Sequence, residues 1–283
     1  MRLVSLDILR TLKFPPHTAI KPEHFFQKKS ELSEADWVLY PEYWQVNALV
    51  YGLKARIFPS LPTYLIGHDK VTMTRVFQSI VPEHLPETHI HGNSPEKAEM
   101  LWDKMSTPFV AKIPKSSMGE GVFLIESREQ WKQYCSQTDV LYVQEWLPID
   151  RDLRLVVIGE KVVGGYWRLQ GSDGFHNNIA RGGEILPGLL PPQAVTLVER
   201  VAQSLGVDHA GFDVAMVGDH PYLFEFNRLF GTQGVENLIG DLSPYILDYL
   251  SRKMDEFDPL SPITPKGPTS GGKAGKSLLR KVG

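Results

Sequence analysis

The sequence predicts an α/β protein of the α+β kind, made of three small α/β units and a basic tail. Three observations support this prediction. Apolar residues alternate between the two-residue period of strands and the longer period of helices along residues 1–258. Short polar loops that contain glycine separate these stretches. Of the 283 residues, 42% are hydrophobic, which is enough to bury a core in one large domain or two to three smaller ones.

The first predicted unit covers residues 1–68, and the second covers residues 69–147. In the first, the strand-like WVLYP is followed by the helix-like VNALVYGLKAR and the strand-like RIFPS. The second unit begins with helices in DKVTMTRVFQSI and PEKAEMLWDKM and continues with strands FVAKIP and GVFLIE around the polar loop KSSMGE. A helix around EQWKQYC and the strand VLYVQEWL complete it.

The third predicted unit, residues 148–258, begins with a β-hairpin that turns at Gly159-Glu160 between two β-branched segments. After the polar loop SDGFHNNIARGGE, a helix from Pro192 to Leu205 carries its apolar side chains on one stripe. We therefore expect this helix to cover one face of a sheet. Gly206 stands where a left-handed helix cap is usual.

The C-terminal tail, residues 259–283, is predicted to be disordered. It has five basic residues and no acidic one, and it lacks the apolar residues that a core requires. Its SGGKAGKS resembles a phosphate-binding P-loop, but Ser270 takes the place of the first required glycine and no strand precedes it. We interpret the segment as a solvated basic tail.

Charge and cysteine content narrow the classes of function. The formal net charge of -3 gives no global attraction to nucleic acid or to an anionic membrane. No apolar run approaches the roughly 18 residues of a membrane span. The single cysteine, Cys135, excludes an intramolecular disulfide framework and a cysteine metal cluster. We expect a soluble cytoplasmic protein that binds neither nucleic acid nor membranes. The sequence leaves open whether it forms a homo-oligomer.

The segment GFDVAMVGDHPYLFEFN carries the first chemical signal. Its two strand-like runs surround Gly218-Asp219-His220, and a hairpin centred on Asp219 pairs Asp213 with Glu225. Side chains alternate along a strand. One face then carries Asp213, Ala215, Leu223, Glu225 and Asn227, and the other carries Phe212, Val214, Met216, Tyr222, Phe224 and Phe226.

Two directly opposed carboxylates repel each other unless a cation or a proton lies between them. Magnesium prefers oxygen ligands, and Asn227 adds one on the same face. Asp213, Glu225 and Asn227 therefore form a candidate magnesium site, in which manganese can take the place of magnesium. The alternative is a solvent-facing acidic strand pair without a ligand.

A lysine followed by a flexible loop is the second chemical signal. Lys112 follows the strand-like FVA and precedes KSSMGEGV. The backbone amides of that loop could close over phosphates while the lysine neutralises their charge. The alternative is a hairpin turn with an exposed lysine.

The order of the segments is more specific than any one of them. Read as DKVTMTR, FVAKIPKSSMGEGV, YVQEWL, DLR, FHNNIARGGE, GFDVAM and FEFN, they strongly resemble the ATP-grasp superfamily, in particular its RimK-type glutamate ligase branch. The resemblance covers residues 64–250. It implies an ATP-grasp fold in which two α/β subdomains grip ATP, residues 69–147 with the glycine loop and residues 148–258 with the metal site. A short pre-ATP-grasp α/β domain, residues 1–68, precedes them.

The resemblance also implies roles for individual residues. Lysines and the Ser117–Gly121 loop would contact the ATP phosphates, the segment after VLYV would receive adenine, and Asp152 would bind ribose. The implied nucleotide contacts are Lys70, Lys112, Ser117, Gly119, Gly121, Gln144, Glu145, Trp146, Leu147, Asp152, His176 and Asn178. The implied catalytic residues are Arg181, at the acyl phosphate, and Arg154 and Arg168, at a substrate carboxylate. For Arg154 and Arg168 the alternative is a structural ion pair. Asp213, Glu225 and Asn227 match the magnesium ligands of the family.

Two departures from the family pattern concern the substrates. His176 stands where the glutamate ligases usually carry arginine. After Asn227 the family commonly continues with alanine, serine, proline and glycine, whereas this chain has Arg228, Leu229, Phe230 and Gly231. Because this turn borders the acceptor pocket, we expect a different substrate.

The resemblance implies an ADP-forming carboxylate-amine ligase that uses ATP and magnesium. It would make an amide or peptide bond through an acyl phosphate, with small-molecule or peptide carboxylate and amine substrates. One alternative is an ATP-binding kinase or a regulatory nucleotide-binding module on the same fold. Another is an interaction protein in which the basic tail carries the function.

Overall fold

Three β-sheets, each covered by helices, make up the computed structural model, which describes residues 1–114, 121–169, 185–231 and 233–255. The predicted tail and part of each polar loop lie outside the described residues. None of the helices in the described part of the chain combines the length and the apolar character that a membrane crossing requires.

The first sheet is parallel and belongs to the N-terminal unit. Its strands occur in the order β2-β1-β3-β4. They are β1 (Leu3–Ser5), β2 (Thr18–Ala19), β3 (Trp37–Leu39) and β4 (Ile57–Phe58). The helices of this unit are α1 (Lys29–Ser33), α2 (Tyr43–Asn47), which continues as a π-helical turn (Ala48–Gly52), and α3 (Leu61–Ile66).

The second sheet is antiparallel, with the order β5-β8-β6-β7. Its strands are β5 (Thr88–Gly92), β6 (Phe109–Lys112), β7 (Val122–Ile125) and β8 (Val140–Glu145). The helices α5 (Pro95–Lys104) and α6 (Arg128–Cys135) pack against it; α4 (Lys70–Ile80) precedes them in the chain. The helix and strand segments predicted from the sequence are thus found in the predicted order.

The third sheet is also antiparallel, with the order β11-β10-β9-β12-β13. Its strands are β9 (Arg151–Ile158), β10 (Lys161–Leu169), β11 (Ile185–Leu186), β12 (His209–Val217) and β13 (His220–Asn227). Its helices are α7 (Pro192–Leu205), α8 (Gln233–Ile239) and α9 (Ser243–Arg252). The predicted bounds of α7 are confirmed, as is Gly206 in the left-handed conformation at its end, with φ of 69°.

Residues on the two faces of the third sheet pack into different cores. The odd-numbered residues of β9, from Leu153 to Val157, pack with α4 and α7. Val156 and Ile158 face the other way and pack with α9 and the first sheet. Asp152 and Arg154 precede them on that second face, so polar residues occupy one end of it and apolar residues the other.

Helix α4 belongs to the predicted second unit, but its buried apolar side chains pack against the third sheet. Met73 and Phe77 lie in one core cluster with Phe226 of β13. The turn before α4 is equally close, since a Cβ atom on Gly67 would lie 2.8 Å from the Phe226 ring. The start of α4 is therefore held beside β13. The division of the chain into domains stays a prediction.

The register of the β12–β13 hairpin agrees with the prediction at one end and departs from it at the other. Asp213 pairs with Glu225, as predicted, but a bulge follows and Val214 pairs with Leu223. Leu223 consequently lies in the apolar core rather than on the acidic face. Tyr222 pairs with Ala215, and Phe224 contacts Lys112, so the assignment of Tyr222 and Phe224 to the apolar face is wrong.

Candidate functional site

One row of side chains crosses the third sheet from β10 to β13. Tyr166 pairs with Arg154, Arg154 pairs with Asp213, and Asp213 pairs with Glu225. Directly paired residues of neighbouring strands point to the same face. The register therefore brings an arginine and two carboxylates side by side, although Arg154 and Asp213 are 59 positions apart in the chain.

Two buried arginines form ion pairs with the acidic side chains of β9 and β12. Arg154 Nε lies 2.5 Å from Asp213 Oδ1, and its Nη2 lies 3.1 Å from Oδ2. Arg168 donates from Nε and Nη2 to the two oxygens of Asp152, at 2.7 and 2.6 Å, and its Nη2 also lies 3.1 Å from Asp213 Oδ1. All four side chains are at least nine-tenths buried. Burial lowers the pKa of Arg168, but the neighbouring charges of Asp213 and Asp152 outweigh it and raise the pKa above its ordinary value.

Glu225 is bound by a lysine from the start of α4. Lys70 Nζ lies 2.6 Å from Glu225 Oε2, and Asn227 Nδ2 lies 3.3 Å from Oε1. Asp69 caps α4 by accepting a hydrogen bond from the Thr72 amide, which holds the first helical residue, Lys70, in place. Burial raises the pKa of Glu225, but the charges of Lys70 and Lys112 outweigh it and lower the pKa to about 2.

Lys112 reaches the same place from the second sheet. It ends β6, and its Nζ donates to Gln144 Oε1 at 2.8 Å. The ammonium group also lies 5.5 Å from the Tyr142 ring centroid and 5.6 Å from that of Phe224. Burial lowers the pKa of Lys112 to about 8, although Glu225 raises it in part. Lys112 is thus a partly desolvated cation between the second and third sheets.

The charges of this cluster favour an anionic ligand. Among the described residues, it has three carboxylates, on Asp152, Asp213 and Glu225, and four cationic side chains, on Lys70, Lys112, Arg154 and Arg168. These side chains carry one more positive than negative charge, and they are poorly exposed to water. Both features strengthen the attraction for an anion such as a phosphate.

The predicted magnesium ligands form an oxygen-donor set on one face. Asp213 and Glu225 are directly paired, and Asn227 contacts Glu225. Two carboxylates and an amide oxygen fit magnesium, which takes few protein ligands and completes its shell with water and phosphate. Within the described residues, no group of three or more histidine, cysteine or acidic side chains is arranged as a metal cage. The arrangement therefore matches a shared site better than a dedicated structural one.

The predicted adenine segment follows the last strand of the second sheet. Gln144 is buried, and its side chain is bound by Lys112 and donates to Thr88 Oγ1 at 2.9 Å. The Glu145 amide donates to Glu87 O at 2.8 Å. Trp146 is exposed, and Leu147 lies in the link to β9. The Gln144 side chain is hence a support for Lys112 in this structure.

Several predicted site residues lie outside the described residues. They are the predicted nucleotide contacts Ser117, Gly119, His176 and Asn178 and the predicted catalytic residue Arg181. Gly121, at the end of the glycine loop, is described, and its carbonyl oxygen accepts a hydrogen bond from the Ile113 amide at 2.7 Å. Ile113 and Gly121 thus close the base of the segment 115–120.

A second cationic position lies next to the predicted ligands. The Arg228 guanidinium carbon lies 4.7 Å from the ring centroid of Tyr64 in α3. Burial lowers the pKa of Arg228, and the charge of Arg10 lowers it further, while Tyr64 and Tyr43 raise it. The sequence marked Arg228 as a departure from a family pattern, but gave no signal for its contact with Tyr64, 164 positions away.

A protein-family model and a curated relative agree on the family that this chain resembles. The RimK-like ATP-grasp domain matches residues 69–250. A curated relative, the probable alpha-L-glutamate ligase of Citrobacter koseri, is 29% identical over 176 residues, which are 59% of this chain and 58% of the relative. The chain thus matches little more than half the length of that relative.

Solved structures agree in fold. The D-alanine–D-alanine ligase from Bacillus anthracis superposes with a TM-score of 0.67 at 12% identity, over 90% of this chain and 99% of the other. The ATP-grasp ligase PsnB, in complex with a phosphomimetic variant of its minimal precursor, Mg and ADP, superposes with a TM-score of 0.64 at 12% identity, over 89% and 98%. At these identities the likeness concerns the fold.

Proposed function

The chain belongs to the RimK-like ATP-grasp family and has the ATP-grasp fold, as its sequence predicted, and on this premise we propose that it is an ATP-dependent carboxylate-amine ligase. The ligase forms an amide or peptide bond and releases ADP and phosphate. The observation that carries the proposal is the pairing of Asp213 with Glu225 on a sheet face that four cationic side chains surround.

Asp213, Glu225 and Asn227 are the proposed ligands of magnesium. When bound, magnesium neutralises phosphate charge and orients the phosphates for transfer. Glu225 would be free to hold such an ion if the Lys70 ammonium moved from its carboxylate to a phosphate. Arg154 and Arg168 hold Asp213 in one orientation, since both donate to its carboxylate.

The lysines are the proposed phosphate contacts. Lys70 contacts Glu225, and Lys112 lies close enough to lower the pKa of its carboxylate, so both bring positive charge to the place where the proposed metal ligands meet. Ser117, Gly119 and Gly121 belong to the proposed glycine loop over the phosphates. Desolvation makes each lysine charge more effective toward a phosphate than it would be in water.

The base and the ribose are proposed to lie between the second and third sheets. Gln144, Glu145, Trp146 and Leu147 would face adenine, mainly through backbone groups, because the Gln144 side chain is already bound. Asp152 is the proposed ribose contact. A ribose hydroxyl there has to share the carboxylate with Arg168.

The reaction has two steps that need no protein nucleophile. In the first, a carboxylate oxygen forms a bond to the γ-phosphorus, and the bond from that phosphorus to the β–γ bridging oxygen breaks, so ADP leaves. In the second, an amine nitrogen bonds to the acyl carbon, the phosphate leaves, and the nitrogen loses a proton. The protein contributes by positioning and by charge neutralisation.

Five residues complete the proposed substrate site. His176 and Asn178 are proposed to contact phosphate, and Arg181 to contact the acyl phosphate. The N–H groups of Arg154 and Arg168 that point away from the aspartates are available for a substrate carboxylate, since a guanidinium has five N–H donors and each uses only part of them. Peptides and small molecules both fit this chemistry.

ADP release tests the proposal. The expected result with the wild-type protein is magnesium-dependent ADP release that requires both an added carboxylate and an added amine. Release with a hydroxyl acceptor alone would indicate a kinase instead. In Asp213→Asn and Glu225→Gln, turnover falls by at least about a hundredfold, because a preorganised charge at the phosphates is lost.

The matched control is Asp219→Asn, which makes the same chemical change at the exposed turn of the same hairpin. Its turnover is expected to equal that of the wild type. Full turnover in both site variants would refute the assignment of the magnesium ligands.

A further inference from the structure

Thr88, Gln144 and Lys112 form a row of polar side chains across three strands of the second sheet. Thr88 of β5 pairs with Gln144 of β8, and Tyr142, two residues before Gln144, pairs with Lys112 of β6. Paired residues point to the same face of a sheet, and so do residues two apart on one strand. The three side chains therefore share one face, on which Lys112 also contacts Phe224 of the third sheet.

The hydrogen bonds along this row run in one direction. The carbonyl oxygen of Pro86 can only accept, so the Thr88 hydroxyl, 2.7 Å away, donates its one hydrogen to it. The Thr88 oxygen is then left to accept a hydrogen bond, and Gln144 Nε2 donates to it at 2.9 Å. The amide oxygen of Gln144 accepts from Lys112 Nζ at 2.8 Å. Thr88 and Gln144 are buried, so water competes little for these atoms.

The hydroxyl of Thr88 determines how firmly the Gln144 amide is placed. An ammonium group only donates, so Lys112 needs the oxygen of that amide and not its amino group. The amino group in turn needs an acceptor, because a buried donor without a partner is costly. Thr88 provides this acceptor. Without it, the amide would bind Lys112 only by leaving its own amino group buried and unpaired, so the placement of the whole side chain would weaken.

Lys112 differs from the other cations of the site in what binds it. In the described part of the chain, each of the other three is bound by a carboxylate, Lys70 by Glu225, Arg154 by Asp213 and Arg168 by Asp152 and Asp213. Lys112 instead donates to the uncharged oxygen of Gln144. The carboxylate of Glu225 is near enough to raise the pKa of Lys112, and it is the group to which the ammonium would turn if Gln144 no longer held it.

We propose that Thr88 is a positioning residue for Lys112: by fixing the amide of Gln144, it keeps the Lys112 ammonium away from Glu225 and available to a phosphate of the nucleotide. The inference rests on the proposed function, since it takes Lys112 as a phosphate contact. Thr88 itself touches no part of the nucleotide in this arrangement. Its effect passes through two hydrogen bonds, from Gln144 to Thr88 and from Lys112 to Gln144.

Isothermal titration of a non-hydrolysable ATP analogue with magnesium tests the proposal without turnover. Thr88→Val keeps the shape and the strand preference of the side chain but loses the hydroxyl. The analogue is expected to bind to it at least about tenfold more weakly than to the wild type, because the phosphates lose a positioned charge. Thr88→Ser restores the hydroxyl, and its affinity is expected to lie within about twofold of the wild type.

Two further variants show whether the effect passes through Lys112. Once Lys112→Met has removed the ammonium, Thr88→Val is expected to weaken binding of the analogue no further, so the two substitutions are not additive. Thr138→Val is the matched control. The Thr138 hydroxyl donates to Val140 O at 3.0 Å, two residues along the same sheet, but at the end of β8 opposite to Gln144. Its affinity for the analogue is expected to equal that of the wild type.

Three results of the titration overturn the proposal. They are equal affinity in the wild type and Thr88→Val, an affinity of Thr88→Ser as low as that of Thr88→Val, and additive effects of Thr88→Val and Lys112→Met. Failure of the analogue to bind to the wild type refutes the proposed function instead.

The side-chain amide of Gln144 tests the row of hydrogen bonds independently of any nucleotide. In the ligand-free protein labelled with nitrogen-15, its signal is assigned by its absence in Gln144→Glu. Exchange of its hydrogens with solvent is expected to be at least about tenfold faster in Thr88→Val than in the wild type and in Thr88→Ser, because the acceptor on Thr88 is lost. Equal exchange in the wild type and Thr88→Val overturns the proposal whether or not the protein is a ligase.

Discussion

Removing the positive charge of Arg168 should lower the free energy of unfolding by more than the loss of a surface ion pair does. Its guanidinium makes three close contacts, two with Asp152 and one with Asp213, and all three residues are at least nine-tenths buried. In Arg168→Met the apolar stem of the side chain is roughly kept and every hydrogen-bond donor of the guanidinium is lost. Asp213 keeps Arg154, so the main loss falls on Asp152.

The magnitude follows from the burial of these charges. Breaking a buried pair by removing one partner costs about 3–5 kcal/mol, because the other charge stays buried. At about 2–4 °C for each kcal/mol in a chain of this size, the melting temperature should fall by about 6–20 °C. The exposed pair of Arg252 and Asp248, 3.0 Å apart, is the control, and Arg252→Met should change stability by less than about 1 kcal/mol.

A double-mutant cycle identifies the cause. Urea unfolding of the ligand-free protein is followed by tryptophan fluorescence for Arg168→Met, Asp152→Asn and the double variant. If the loss comes from an uncompensated charge, the double variant should be more stable than Arg168→Met, with a coupling energy of at least about 1 kcal/mol. Additive effects, or a loss in Arg168→Met as small as that in Arg252→Met, would refute the reasoning.

Two other substitutions test how the surroundings support the site. In Gly211→Ala, the new Cβ would lie 2.9 Å from Arg154 Cδ and Nη1, so Arg154 must move and Asp213 with it. We expect a loss of about 1–3 kcal/mol in unfolding free energy and a weaker magnesium dependence of ADP release. Unchanged magnesium dependence would contradict this expectation. Burial raises the pKa of Asp208 to about 6, although hydrogen bonds from Ser60 and Thr63 oppose the rise. Because the folded protein holds this proton more tightly than the unfolded chain, the stability of the wild type relative to Asp208→Asn should fall by up to about 3 kcal/mol as pH rises from about 4 to about 6, and should be level above that. Urea unfolding of both proteins across this range measures the difference in unfolding free energy, and a relative stability of the wild type that rises with pH would contradict the assignment.

Local patterns in the sequence predicted the parts of the fold that local interactions determine. Helix α7 has the predicted bounds because its apolar stripe and Gly206 act within the helix itself. The turn at Gly159-Glu160 is found as predicted, with Gly159 in a left-handed conformation. The pairing of Asp213 with Glu225 is found as predicted, but it depends on the bulge as well as on the turn, because Val217 pairs with His220 where the hairpin turns.

Contacts between distant segments were not predictable in this way. The bulge after Asp213 turns Phe224 toward Lys112, and no pattern within β13 marks it. The bonds from Arg168 to Asp152 and Asp213 depend on the pairing of three strands that a loop and a helix separate in the chain. The sequence therefore left open whether Arg154 and Arg168 serve ion pairs or a substrate.

The pairing of both proposed magnesium-binding carboxylates with cations is a consequence of the register. Asp213 and Glu225 are directly opposed, and like charges in this position destabilise a sheet unless they are compensated. Arg154 and Lys70 provide that compensation in the ligand-free protein. The two partners differ, because Arg154 is buried and fixed by two hydrogen bonds, whereas Lys70 is partly exposed and holds Glu225 through one. Lys70 is thus the cation that can leave its carboxylate at the smaller cost, as magnesium binding by Glu225 in the proposed site would require.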